Sequence, residues 1–152
     1  YQARVNVNHR ADINTLGVVA NTAAYQHGQE WTDQLLTYID GNHAFVEQYL
    51  KENLPEVVYT KAQGTFLSWL HFGEIMDEVG VVGKAAASQN SATPQTETQV
   101  FESWLVERCG VQLNEGMDYG KGGERCMRMN IGTSRQLLKL ALDNISEEVR
   151  SV

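Results

Sequence analysis

Apolar residues recur at helical spacing in four stretches of this chain and alternate with polar ones in four shorter stretches. Leu16, Val19, Ala20, Ala23 and Ala24 make one apolar side of a helix capped by Asp12 or Asn14, running to about Gln26 and ended by His27-Gly28. From about Gln29 to Leu54, Trp31, Leu35, Tyr38, Ile39, Phe45, Tyr49 and Leu50 keep that period in the longest element. Gly41 and Asn42 weaken its middle and allow a bend, and Pro55 stops it. Val57-Val58-Tyr59 then marks a short strand within Glu56 to Thr60. A turn at Gln63-Gly64 and a second strand from Thr65 to Phe72 complete a hairpin, and Glu74 to Asp77 add a helical turn.

Periodicity is lost between Val79 and Thr98, where Lys84 to Gln95 reads as a mobile loop. Glu97 to Cys109 is the third helix, with Val100, Phe101, Trp104 and Leu105 inward and Gly110 at the place that takes positive φ. Val111-Gln112-Leu113 is a short strand, and a glycine-dense loop from Gly116 to Gly123 follows. Arg125 to Ile131 alternates again: Met127, Met129 and Ile131 point to one face, and Cys126, Arg128 and Asn130 to the other. Gly132 breaks this strand, and Thr133 with Gln136 forms a capping box for a closing helix to Val149. The order α-α-β-β-(loop)-α-β-β-α predicts an α+β domain, a small and mostly antiparallel sheet packed against helices.

Composition adds bounds. At 152 residues with 42% hydrophobic and 20% charged residues, the chain is one ordinary globular domain with a real core. A formal charge of −7 argues against nucleic acid and anionic membrane as partners. No apolar run approaches the roughly 20 residues of a membrane span. Cys109 and Cys126 make no disulfide framework, and reduced thiols in a cytoplasmic protein are the simpler reading. The chain starts at Tyr1 without Met and reads like a piece of something longer; residues 1–11, polar and poorly periodic, are expected to be a linker or a frayed segment, and residues 12–152 the domain itself.

Candidate chemistry is sparse. Gly116 to Gly123 lacks the spacing, the Ser or Thr after Lys121 and the following helix of a phosphate loop, so it reads as an irregular connection. His9, His27, His43 and His71 have no ligand spacing, and no metal site is expected. Trp31, Trp69 and Trp104 fall on apolar positions that core packing explains. Arg128 stands apart, near the end of a half-buried strand beside Asn130. A guanidinium buried there needs an anion, and its planar fork suits a carboxylate. By pattern alone, a solvated Arg on the wet face of the strand is the plainer reading.

Several stretches, taken in order and spacing, resemble the C-terminal part of fold-type I pyridoxal-phosphate (PLP)-dependent enzymes. The nearest branch is the cystathionine β-lyase-like C–S lyases among class I/II aminotransferases. They are Leu16-Gly17-Val18-Val19-Ala20-Asn21-Thr22-Ala23-Ala24-Tyr25 with Gly28-Gln29-Glu30-Trp31, Gln63-Gly64-Thr65-Phe66-Leu67-Ser68-Trp69-Leu70, Cys109-Gly110-Val111-Gln112-Leu113-Asn114-Glu115-Gly116, and Gly120 with Met127-Arg128-Met129-Asn130-Ile131-Gly132. The resemblance covers nearly all of residues 12–149, with Val79–Thr98 longer than is usual for the branch. It implies the small C-terminal domain of a PLP-dependent lyase or aminotransferase acting on amino acids, with Arg128 binding the substrate α-carboxylate.

By the same resemblance, the cofactor lysine, its Ser/Thr-rich surroundings and the phosphate-binding residues belong upstream of residue 1. None of Lys51, Lys61, Lys84, Lys121 or Lys139 has that context. The chain is thus expected to hold no catalytic or cofactor-binding residue, to bind no PLP alone, and to be inactive alone. Its partners in the full-length enzyme would be the large domain, the amino-acid substrate and a second copy in a homodimer. The alternatives are a stand-alone carboxylate-binding or regulatory module without catalysis, and a purely structural packing domain.

Overall fold

A computed structural model describes residues 14–152, so the expected linker 1–11 and the cap candidate Asp12 lie outside the described residues. The chain divides between Tyr38 and Ile39 into two compact units.

In the first unit, helix α1 (Thr15–His27) begins because Asn14 Oδ1 accepts from the Leu16 amide at 2.9 Å and the Gly17 amide at 3.4 Å. It ends where the Gly28 amide donates to Ala24 O at 2.8 Å. No α1 residue is buried, and Leu16, on the expected core side, is 78% exposed. Helix α2 (Gln29–Asn53) follows at once, and its first turns leave Trp31 67% exposed. Core packing therefore does not account for Trp31, contrary to the apolar pattern.

The second unit carries the core. Helix α2 runs unbroken through Gly41-Asn42, and its later half buries Asn42, His43, Val46, Tyr49 and Leu50. Strands β1 (Val58–Tyr59) and β2 (Leu67–His71) form the expected hairpin. Its turn puts positive φ on Thr65 (67°) rather than on Gly64. Short helices α3 (Gly73–Glu78) and α4 (Val81–Ser88) come next. Helix α4 occupies the first part of the expected loop 84–95, because Val81 and Ala85, four residues apart, bury one face. Only residues 89–96 remain irregular.

Helix α5 (Glu97–Trp104) starts with a capping box between Thr96 and Gln99 and continues as a wider π-helical turn, Leu105–Cys109. Gly110 closes it with φ 65°, as anticipated. Val111 and Leu113 point inward without strand pairing, and strand β3 is Asn114–Glu115, later than the alternation suggested. Strand β4 (Cys126–Asn130) begins one residue late because Arg125 is left-handed, φ 58°. Helix α6 (Arg135–Arg150) is capped by Ser134, whose Oγ accepts from the Leu137 amide at 3.3 Å. The Thr133–Gln136 box is thereby displaced: the Thr133 carbonyl is held from outside, by Asn42 Nδ2 at 3.0 Å.

The sheet order is β1-β2-β4-β3, antiparallel throughout, which makes the α+β architecture the one expected. Val46, Leu50, Phe101, Leu105, Leu138, Leu142 and Ile145 from three helices meet Leu70, Met127 and Met129 of the sheet in one core. No helix among the described residues is long and apolar enough to cross a membrane.

Candidate functional site

Arg128 is the third residue of β4, an inner strand, and faces Trp69 on β2 and Asn114 on β3 across the sheet. Directly paired residues share a face, so these three side chains stand together on the side away from Met127 and Met129. Arg128 Nη2 donates to Asn114 Oδ1 at 3.1 Å. Its Cζ sits 4.4 Å from the centroid of the Tyr119 ring. Trp69, 37% exposed rather than in the core, meets Tyr119 edge-on at 5.7 Å and 76°. Arg128 itself is half-buried; its Nε is shut off from solvent and has no hydrogen-bond partner among the described residues. None of the ion pairs among the described residues involves it.

Tyr119 reaches this position on a 3-10 turn, Gly116–Tyr119. Two glycines hold the loop shut at its base. A Cβ on Gly116 would lie 2.4 Å from Gly123 O, and one on Gly123 would lie 2.0 Å from Gly116 O. Close backbone contact thus requires Gly116 and Gly123, whereas Gly120 and Gly122 supply positive φ, 101° and 92°. The neighbouring Arg125 has a different job. Its guanidinium pairs with Asp77 and reaches Glu97 Oε2 at 3.1 Å, tying β4 to α3 and α5. That hydrogen bond to Arg125 holds the Asp77 carboxyl below the usual range.

The far end of β4 is fixed by Asn42, fully buried in α2. Its Nδ2 donates to Ile131 O at 2.8 Å and to Thr133 O at 3.0 Å. Its Oδ1 accepts from Arg135 Nε at 3.1 Å and Nη2 at 3.0 Å. A Cβ at Gly41 would lie 2.8 Å from that Nη2, so both supposedly weak helix positions serve this junction.

The other candidates are placed away from such a site. His43 is buried with both nitrogens engaged: Nδ1 accepts from Tyr59 OH at 2.7 Å, and Nε2 donates to Thr65 O at 3.1 Å, since a carbonyl can only accept. Burial pushes the Cys109 thiol up to about 11 and raises Cys126 as well, which suits core residues rather than nucleophiles. Among the described residues no group of three or more His, Cys, Asp or Glu could hold a metal ion. Sequence reasoning singled out Arg128, passed over Asn114 and Tyr119, and assigned Trp69 to the core. The pairing of a two-residue strand with β4 is what joins Asn114 to Arg128, and so short a strand leaves no periodic signal.

No family model matches the chain. It is 35% identical, over 86% of its length, to a Mycobacterium leprae protein provisionally named a cystathionine β-lyase, covering 31% of that protein. It is 30% identical over 95% of its length to the cystathionine β-lyase PatB of Bacillus subtilis, covering 33% of it. A crystal structure of a PLP-bound protein from Clostridium difficile 630, provisionally called an aminotransferase, shares the fold with a TM-score of 0.73 and 29% identity. That match spans 90% of this chain and 30% of the other. The chain is therefore homologous to cystathionine β-lyases, and its structural neighbours are PLP-dependent C–S lyases and aminotransferases, as a C-terminal fragment of that class would have. It spans about a third of the length of the curated relatives it matches.

Proposed function

We propose that this chain is the small C-terminal domain of a PLP-dependent enzyme acting on amino acids, a cystathionine β-lyase-type C–S lyase or an aminotransferase, with Arg128 as the anchor for the substrate α-carboxylate. The supporting observation is the state of Arg128: a half-buried guanidinium without a carboxylate among the described residues, one of its donors enclosed and unpaired. No described carboxylate compensates this half-buried charge, and Nη1, which no described residue engages, is the donor left for an incoming anion. A carboxylate matches the guanidinium fork, and holding it would fix the orientation of the amino acid's Cα–H bond.

When bound, PLP supplies an electron sink for bond breaking at Cα. In this reading it is held outside this stretch. Lys51, Lys61 and Lys139 are paired at the surface with Glu47, Asp40 and Asp143. The cofactor lysine, the large domain and the second copy of a homodimer would all belong to the longer protein. The bare surface of α1, with no buried residue, fits a role against such a domain.

The test is Arg128→Ala in the longer protein with L-cystathionine as substrate. Removing one partner of a buried charged pair costs about 2–5 kcal/mol, so kcat/KM should fall by about thirtyfold or more. Unchanged kinetics would refute the anchor. A saturable rise in Tm of the 152-residue chain with L-cystathionine would instead favour a stand-alone binding module.

A further inference from the structure

We infer that Asn114 and Tyr119 are positioning residues that aim the Arg128 guanidinium and admit a carboxylate from one direction only; this rests on the carboxylate reading of Arg128. An arginine side chain has several rotatable bonds, and a half-exposed one samples many orientations unless held. Here three contacts define the plane. The β3–β4 register places Asn114 opposite Arg128, and its Oδ1 holds Nη2 at 3.1 Å. The Tyr119 ring lies against the guanidinium at 4.4 Å, and the Trp69 edge backs that ring at 5.7 Å. With Nε enclosed, Nη1 is the terminal nitrogen that no described residue engages. A planar carboxylate is thereby directed to that side.

The chemistry of position 114 is specific. An amide oxygen orients the guanidinium while leaving its positive charge uncompensated. A carboxylate there would pair with Arg128 and compete with the substrate. Tyr119 contributes its ring, and its hydroxyl has no partner among the described residues, so phenylalanine should serve as well.

The experiment measures steady-state kinetics with L-cystathionine in the longer protein, acetate as a competitive probe, and the side-chain nitrogen NMR signals of Arg128 in the 152-residue chain. Tyr119→Leu should raise KM and the acetate inhibition constant by about threefold to thirtyfold, a larger change than in kcat, and Tyr119→Phe should restore both. Asn114→Asp should raise KM by more than about tenfold and exceed Asn114→Ala. In NMR, slow rotation of the guanidinium should survive in Tyr119→Phe and be lost in Tyr119→Leu. Wild-type KM in Asn114→Asp, or identical behaviour of Tyr119→Leu and Tyr119→Phe, overturns the proposal. If Arg128→Ala also leaves KM unchanged, it is the carboxylate reading that fails.

Discussion

Replacing Asn42 by alanine should be among the most damaging single changes to the second unit. The side chain is fully buried and bonds four atoms on the segment that follows β4. Ile131 is also fully buried, so its carbonyl would lose its side-chain partner where water cannot replace it, a loss of about 1–3 kcal/mol. The Thr133 carbonyl is half-buried and adds about 0.5–1.5 kcal/mol. Arg135 is exposed, so water can replace the lost acceptor at little cost. The total is about 2–4 kcal/mol, a large share of the 5–15 kcal/mol typical of a domain. For a chain of this size that lowers Tm by roughly 10 °C. Urea unfolding followed by circular dichroism measures it, with Asn42→Asp as the companion. Aspartate keeps an acceptor for Arg135 but sets a carboxylate against two carbonyl oxygens, so it should be at least as harmful as alanine. A loss below about 1 kcal/mol for alanine, or a benign aspartate, would refute the account.

Two further outcomes follow from the same contacts. Gly123→Ala puts a methyl 2.0 Å from Gly116 O, a backbone atom that cannot swing aside. It should destabilise by about 1–3 kcal/mol and shift the Tyr119 ring signals in NMR, whereas wild-type spectra would show that the loop yields freely. Tyr49, desolvated and bonded to Asp143 Oδ1 at 2.7 Å, has its phenol pushed up to about 12 from 10.0. A raised folded-state value gives stability present below pH 10 and lost as pH rises towards 12, worth roughly 1–3 kcal/mol. Asp143 is lowered, by Lys139 first and then Tyr49, so its share holds above 3.8 and fades as pH falls below. Urea midpoints at pH 9 and 11.5 should converge for wild type and Tyr49→Phe as pH rises; a constant gap would count against the coupling.

Local pattern carried α1, α2, α5, α6 and strands β2 and β4 because each is long enough for its period to show, while β1 was marked by its β-branched residues between turn signals. Pattern failed where three-dimensional neighbours decide. Gly41 and Asn42 look like flaws in a helix, yet one admits a guanidinium and the other ties down the chain after β4. Lys84 to Ser88 look too small and polar for structure, yet Val81 and Ala85 on the same turn are buried. Arg128 was visible as a charged residue in an alternating strand, and the family resemblance gave it a role. Its companions were not visible, since Asn114 and Tyr119 lie 14 and 9 residues before it and meet it only through strand pairing and a glycine-pinched loop.

The sheet order has one more consequence, for solubility. Both outer strands, β1 and β3, are two residues long, while the five-residue strands lie inside. An incoming chain can add to a sheet only along unpaired backbone at its rim, and here each rim offers very little. Phe66, Trp69 and Tyr119 can therefore remain partly exposed without a strand edge beside them on which fibrils could grow.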